Sequence, residues 1–166
     1  MKTRLFGEMD IAEQEVLTFP SGLIGLKDLK RFILLKREQE SPFKWLQSLD
    51  DPNLCFFVIT PRSIRPDYRV SVHKDVLRRM GIGEGTEIMV LCLVTISRDP
   101  QAVTVNFQAP LVINKETRTG RQIILVNGGG NRSRHDLAQE LDEQGGTHDR
   151  NDQNNQNSIF DIRSSG

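Results

Sequence analysis

The chain has 166 residues with 22 basic side chains, 22 acidic side chains and three histidines, so it is formally neutral near pH 7. That length predicts one domain with a core that needs no staples. No apolar run approaches the ~18 to 20 residues of a membrane helix, and Met1-Lys2-Thr3-Arg4-Leu5-Phe6-Gly7-Glu8 turns acidic where a secretory signal becomes apolar, which reads as a soluble cytoplasmic protein.

Along the chain, strand signals are β-branched or aromatic runs at 16–19, 32–35, 54–60, 87–96, 102–107, 111–113 and 122–126. Turn residues separate them at Pro20-Ser21-Gly22, at Asp51-Pro52-Asn53, over 81–85, at Arg98-Asp99-Pro100 and over 114–120. Val103, Val105 and Phe107 alternate with Thr104 and Asn106, as a half-buried strand does. Helical signals are few. The best is 72–80, with Ser71 as N-cap and Gly81 as the stop; 26–31 and 43–48 are each predicted to form a turn or two. Closely spaced strands without long intervening helices predict antiparallel sheet rather than βαβ units. The fold class is all-β: a small closed or nearly closed barrel with one or two short helices, because closure removes exposed edges.

The barrel domain is assigned to 1–127 and a polar tail to 128–166. Residues 1–127 carry 18 basic and 15 acidic side chains, net +3, and 128–166 carry 4 and 7, net −3. A core at +3 is too weakly basic to predict nucleic-acid binding by counter-ion release. The tail opens with Gly128-Gly129-Gly130, and its apolar residues are Leu137, Ala138, Leu141, Ile159, Phe160 and Ile162. These cannot offset chain entropy, so most of the tail is predicted to be disordered. Two islands interrupt it. Ser133 has N-cap spacing before 137–141, a signal for a short helix. Ile159-Phe160-Asp161-Ile162 reads either as a docking motif or as ordinary linker composition.

Catalytic signatures are missing. His73 has no second histidine or paired cysteine at metal-ligand spacing, and no serine sits in a nucleophile elbow. The stretch Gly81-Ile82-Gly83-Glu84-Gly85-Thr86 follows a helix signal and precedes a strand, the reverse of a dinucleotide site, and reads as a turn. Asp50 and Asp51, adjacent before Pro52, mark a turn or helix end rather than an acid/base pair. Cys55 and Cys92 lie in apolar runs and read as reduced, buried cysteines; a disulfide would need their strands adjacent. Arg62, Arg65 and Arg69 with Tyr68 interleave cations with an aromatic, as a single-strand platform does, but Pro61 and Pro66 bracket the stretch as a loop.

Four segments carry a family resemblance. They are Phe19-Pro20-Ser21-Gly22-Leu23-Ile24-Gly25-Leu26, the stretch 42–52 containing Trp45, Val105-Asn106-Phe107-Gln108-Ala109-Pro110-Leu111-Val112-Ile113-Asn114, and Arg121-Gln122-Ile123-Ile124-Leu125. In this order and spacing they resemble the flagellar assembly factor family FliW. Leu26 stands where that family usually has Phe, and 128–135 replaces its usual segment after the last strand, with Arg134-His135 alone similar. The resemblance implies a monomeric, cytoplasmic, β-barrel-like protein that is not an enzyme and needs no cofactor or metal. It implies two protein partners, flagellin and the RNA-binding regulator CsrA, whose repression of flagellin translation the protein relieves. It implies no direct nucleic-acid or membrane partner. The family tends to be acidic where this core is slightly basic, which leaves steric or allosteric antagonism. Partner contact is expected through Phe43, Trp45, Gln47, Ser48, Asp50, Asp51, Asn106, Ala109, Pro110 and Asn114, with Trp45 open to either core packing or interface. The alternative reading is a nucleic-acid-binding barrel that uses the 62–69 loop.

Overall fold

Seven strands cannot close into a ring by antiparallel pairing alone, because directions that alternate around an odd ring clash at the last pair. This chain resolves the clash with one parallel pair. The computed structural model describes residues 1–36, 41–97, 103–125, 135–136 and 159–162, the last two segments by backbone alone. The strands are β1 (Lys2–Thr3), β2 (Gly7–Glu8), β3 (Val16–Thr18), β4 (Arg31–Leu35), β5 (Phe43–Ser48), β6 (Cys55–Ile59), β7 (Val70–His73), β8 (Ile88–Ile96), β9 (Val103–Val105), β10 (Leu111–Asn114), β11 (Thr119–Gln122), β12 (His135–Asp136) and β13 (Ile159–Ile162). The helix α1 (Lys74–Arg79) joins β7 to β8. The ring runs β3-β4-β5-β6-β8-β10-β11 and returns to β3. Its parallel pair is β11 with β3, Thr119 opposite Thr18. The nine residues of β8 hold β6 on one edge and both β10 and β9 on the other.

Period-two alternation sends side chains to two cores. Leu17, Phe32, Leu46, Val58, Leu91, Leu111 and Ile113 fill the barrel with Phe19 and Leu23, and none of them is more than 3% exposed. The alternate residues Ile59, Val90, Cys92 and Val112 form a second core outside the barrel wall, covered by Val70 and Val72 of β7, Leu77 of α1, Tyr68, Val105 and Phe107. Two glycines are needed where backbone and ring come close. A Cβ on Gly120 would lie 2.6 Å from the Phe19 ring, and one on Gly22, at φ +68°, would lie 2.6 Å from the Leu26 carbonyl oxygen.

The all-β closed barrel agrees with the sequence reading, and four local expectations are corrected. Residues 43–48 form a strand, not helical turns. In a strand Phe43 and Leu46 face opposite sides; here Leu46 fills the barrel and Phe43 is half-buried against the second core, so spacing that fits a helix stripe also fits a barrel wall covered on both sides. The helix begins at Lys74 rather than Val72. Val70–His73 alternates buried and exposed as a strand, and His73, not Ser71, is the N-cap, accepting from the Asp75 N–H at 3.5 Å. The helix does stop at Gly81, where Gly81 N–H donates to Arg78 and Ile82 N–H to Leu77. Residues 26–31 form no helix: Leu26 bridges to Leu23, 27–28 make a turn, and Arg31 already opens β4. The last barrel strand is Thr119–Gln122 rather than 122–126, though Ile123 and Leu125 still donate to Pro110 and Gln108. In the tail, His135–Asp136 pairs with β9 and Ile159–Ile162 pairs with β7, while the helix signal at 137–141 lies outside the described residues. The rest of the tail assignment lies outside the described residues.

Candidate functional site

The residues expected to contact partners divide by burial. Gln47, Ser48 and Asn114 are 0% exposed, and Ala109 and Pro110 are buried. Their polar atoms close turns. Gln47 Nε2 donates to the carbonyls of Ser48, Pro52 and Leu54 at 2.9, 3.2 and 3.0 Å. Ser48 Oγ accepts from the N–H groups of Asp50 and Asp51 at 3.2 and 3.0 Å. Asn106 Oδ1 accepts from Ala109 N–H at 3.1 Å, and Asp51 Oδ1 from Asn53 N–H at 3.0 Å. These are the Asx and Ser turns that such side chains form at strand ends. The structure does not gather the residues on one patch, because β6 and β8 stand between β5 and the 106–114 segment.

Asp50 has a fixed internal task. Its carboxylate accepts from Lys30 N–H at 2.6 Å, Arg31 N–H at 2.8 Å and Arg31 Nε at 3.0 Å, pinning the start of β4. Burial pushes its pKa upward, but the backbone bonds from Arg31 and Lys30 and the Arg31 guanidinium outweigh that and hold it below the usual value of 3.8. A carboxyl with a depressed folded pKa stabilises the fold above its unfolded pKa and loses that contribution as pH falls through the lower folded value. Asp50→Asn is therefore expected to cost about 1 kcal/mol at pH 7, less than a buried charge would because the site is partly solvated. Its stability should also fall less steeply than wild type as acid is added below about pH 4. Urea melts across that range give the slopes, and identical slopes would contradict the assignment.

The accessible aromatic surface lies on the outer wall of β5 and β6. Phe43 stacks on Phe57 at 4.9 Å, Phe57 meets Trp45 at 4.7 Å, and Trp45 meets the edge of Phe6 at 6.1 Å, all four rings being half-buried. Trp45 thus packs on the outer wall and still faces solvent. Phe6 comes from the β1–β2 hairpin, whose turn is shaped by Thr3: its Oγ1 accepts from Phe6 N–H and donates to the Gly7 carbonyl, both at 3.1 Å. The hairpin is anchored by the Met1 ammonium on the Met9 carbonyl at 2.7 Å and by Arg4 N–H on the Pro52 carbonyl at 3.3 Å. Leu5, Phe6, Met9, Leu35, Lys36 and Trp45 enclose an open groove of about 460 Å³. Leu5 is 56% exposed at its lip. Lys36 is the charged residue of this lining, so the groove has an apolar floor and a cationic rim. Of these residues, the sequence reading named Trp45 alone as a contact. The signal for the others was Leu5-Phe6, an apolar pair just before a glycine in an otherwise polar N-terminus.

The 62–69 loop does not offer an aromatic platform. Tyr68 is 7% exposed, and its hydroxyl donates to the Phe107 carbonyl at 2.7 Å. Arg65 lies 4.4 Å from the centroid of the Phe107 ring, and Arg62 Nε donates to the Pro66 carbonyl at 3.0 Å. The cysteines are both free, Cys92 buried and Cys55 half-buried. Their strands are neighbours, but Cys92 sits opposite Ile59, so four residues, about 13 Å of strand, separate Cys55 from bridging register. Burial pushes the thiols up to about 11 for Cys55 and about 12 for Cys92. At pH 8 Cys55 should react with a maleimide roughly 100-fold more slowly than a free thiol, with Cys92 slower still and tracking global unfolding. Mass spectrometry of a labelling time course orders the two, and faster labelling of Cys92 would reverse the burial assignment.

A seven-stranded closed barrel with a second core on its flank, an aromatic outer groove and polar motif residues spent on turns defines a small barrel whose exposed chemistry suits contact. The comparisons give this class its family. The family model described as "FliW protein" matches residues 1–137, and the chain belongs to the FliW family. Flagellar assembly factor FliW of Leptospira interrogans is 41% identical over 128 residues, covering 76% of this chain and 85% of that protein. The Caldicellulosiruptor bescii protein of the same name is 36% identical, covering 75% and 82%. The Treponema denticola one is 34% identical, covering 87% and 97%. A crystal structure of the flagellar assembly factor FliW superposes with a TM-score of 0.74 at 32% identity, covering 82% of this chain and 95% of its own.

Proposed function

We propose that this chain is a cytoplasmic, non-enzymatic flagellar assembly factor that acts as a monomer through protein contact. It binds flagellin and, when flagellin is scarce, binds a CsrA-like regulator and relieves its repression of flagellin translation. Family membership across residues 1–137 carries this reading. Further support comes from the Phe6–Trp45 groove, where an apolar floor and an aromatic centre match the composition of interface cores. Among the described residues no helix is long and apolar enough to cross a membrane. The test is calorimetric titration of the full chain against flagellin and against the regulator, followed by RNA filter binding of the regulator with the chain added. One-to-one binding to each and loss of regulator-bound RNA are expected. Binding to neither partner would overturn the reading.

A further inference from the structure

The strand β7 stands outside the barrel ring, and among the described residues its one strand partner is β13. The two pair antiparallel over four residues, Ile159 opposite His73, Phe160 opposite Val72, Asp161 opposite Ser71 and Ile162 opposite Val70. Val70 and Val72 are the buried positions of β7, while Ser71 and His73 are exposed. The register therefore sets Phe160 and Ile162 against the core-facing positions and Asp161 against an exposed serine. This is strand addition to an edge outside the ring, where main-chain bonds supply affinity and alternate side chains supply selection. β7 lies within residues 1–137, which the family model matches, and the added strand lies beyond them.

We propose that the β7 edge is a docking site for an extended segment of a partner protein with the pattern apolar-acidic-apolar, and that Phe160-Asp161-Ile162 occupies this site in cis as an intramolecular competitor. The occupant identifies the ligand chemistry, because its own sequence is the solution the edge accepts. Tethering explains why so short a strand holds. β13 belongs to the same chain as β7, and covalent connection can hold a segment at an effective concentration on the order of millimolar. A partner segment in trans must exceed that, so partners of weak or transient local concentration are kept off. The inference does not depend on who the partners are.

The experiment uses the full chain. A fluorescent peptide of residues 157–164 is titrated by anisotropy against wild type and against Phe160→Pro/Asp161→Pro. In an antiparallel pair one of any two adjacent residues points its N–H at the neighbour, so the two prolines together break the ladder. The variant is expected to bind the peptide at least tenfold more tightly than wild type, since removing a competitor restores the competent state. Amide exchange at Val70–His73 should quicken in the variant and slow again with peptide. A second variant, Phe160→Gly/Ile162→Gly, removes the apolar pair without proline and should act in the same direction. Equal peptide affinity for wild type and both variants, or no binding to either variant, would overturn the proposal. So would a wild-type dimer that the variants dissolve, because it would place the strand between two copies.

Discussion

Asn114→Ala is expected to destabilise the fold by about 3 kcal/mol and to leave partner affinity of the folded protein unchanged. The side chain is 0% exposed. Its Nδ2 donates to the carbonyls of Met80 and Gly81, both at 3.2 Å, and its Oδ1 accepts from the N–H groups of Glu116 and Thr117 at 3.0 and 3.3 Å. One amide thus ties the end of α1 to the turn between β10 and β11. Glu116 and Thr117 are exposed, so water can replace the lost acceptor there. The Met80 carbonyl belongs to a residue only 7% exposed, and the loss concentrates at that side. For a chain of this size, a midpoint fall of roughly 6 to 12 °C corresponds to that cost. Asn114→Asp keeps the acceptor and points a carboxylate at two carbonyl oxygens, so it should be no better than alanine. Chemical melts measure the first claim, and titration of the folded variant against flagellin and the regulator measures the second. A stable variant that no longer binds would return Asn114 to the interface, where its motif position had placed it.

That outcome bears on what a sequence can disclose. The barrel was legible because the strands announce themselves by β-branched runs between turn residues, and 88–96, 103–105 and 111–114 are found where those runs predict strands. Their closure was also anticipated, but the parallel pair of Thr119 with Thr18 was not, since pairing direction across such a separation leaves no local trace. Residues 43–48 were misread for a physical reason: a wall with apolar residues on both faces loses its alternation and imitates a helix stripe. The motif polar residues posed a different difficulty. Gln47, Ser48 and Asn114 look like recognition groups in a sequence, and only their carbonyl and N–H partners show that they close turns and tie elements together. Conversely, Phe6 looked like an ordinary N-terminal residue until the fold set it against Trp45. Ile159–Ile162 read either as a docking motif or as linker composition, and only the main-chain register shows that it pairs with β7.

The groove gives the second large effect. If a proposed partner docks in the groove, Leu5→Glu is expected to weaken its binding at least tenfold, about 1.4 kcal/mol, while changing stability by no more than about 0.5 kcal/mol. Trp45→Ala cannot separate these quantities, because the indole packs against both Phe6 and Phe57 and its removal should cost about 2 kcal/mol of folding energy. Leu5 is 56% exposed at the lip of the same groove, so its contribution to the fold is small and its position near the floor is direct. A glutamate there also faces the cationic rim of Lys36, which would draw the new carboxylate across the opening and close it to an apolar side chain. Leu5→Gln removes the apolar contact without that charge, and Lys36→Glu reverses the rim while leaving the floor. If binding rests on the apolar floor, Leu5→Gln loses most of what Leu5→Glu loses. If it rests on the rim, Lys36→Glu is the worse variant and the loss diminishes with salt, as exposed charge contacts do. Unchanged affinity of all three folded variants for both flagellin and the regulator would remove the groove from the interface and direct attention to the loop around Gly25, Leu26 and Leu29, where a second open cleft of about 420 Å³ lies beside Leu54.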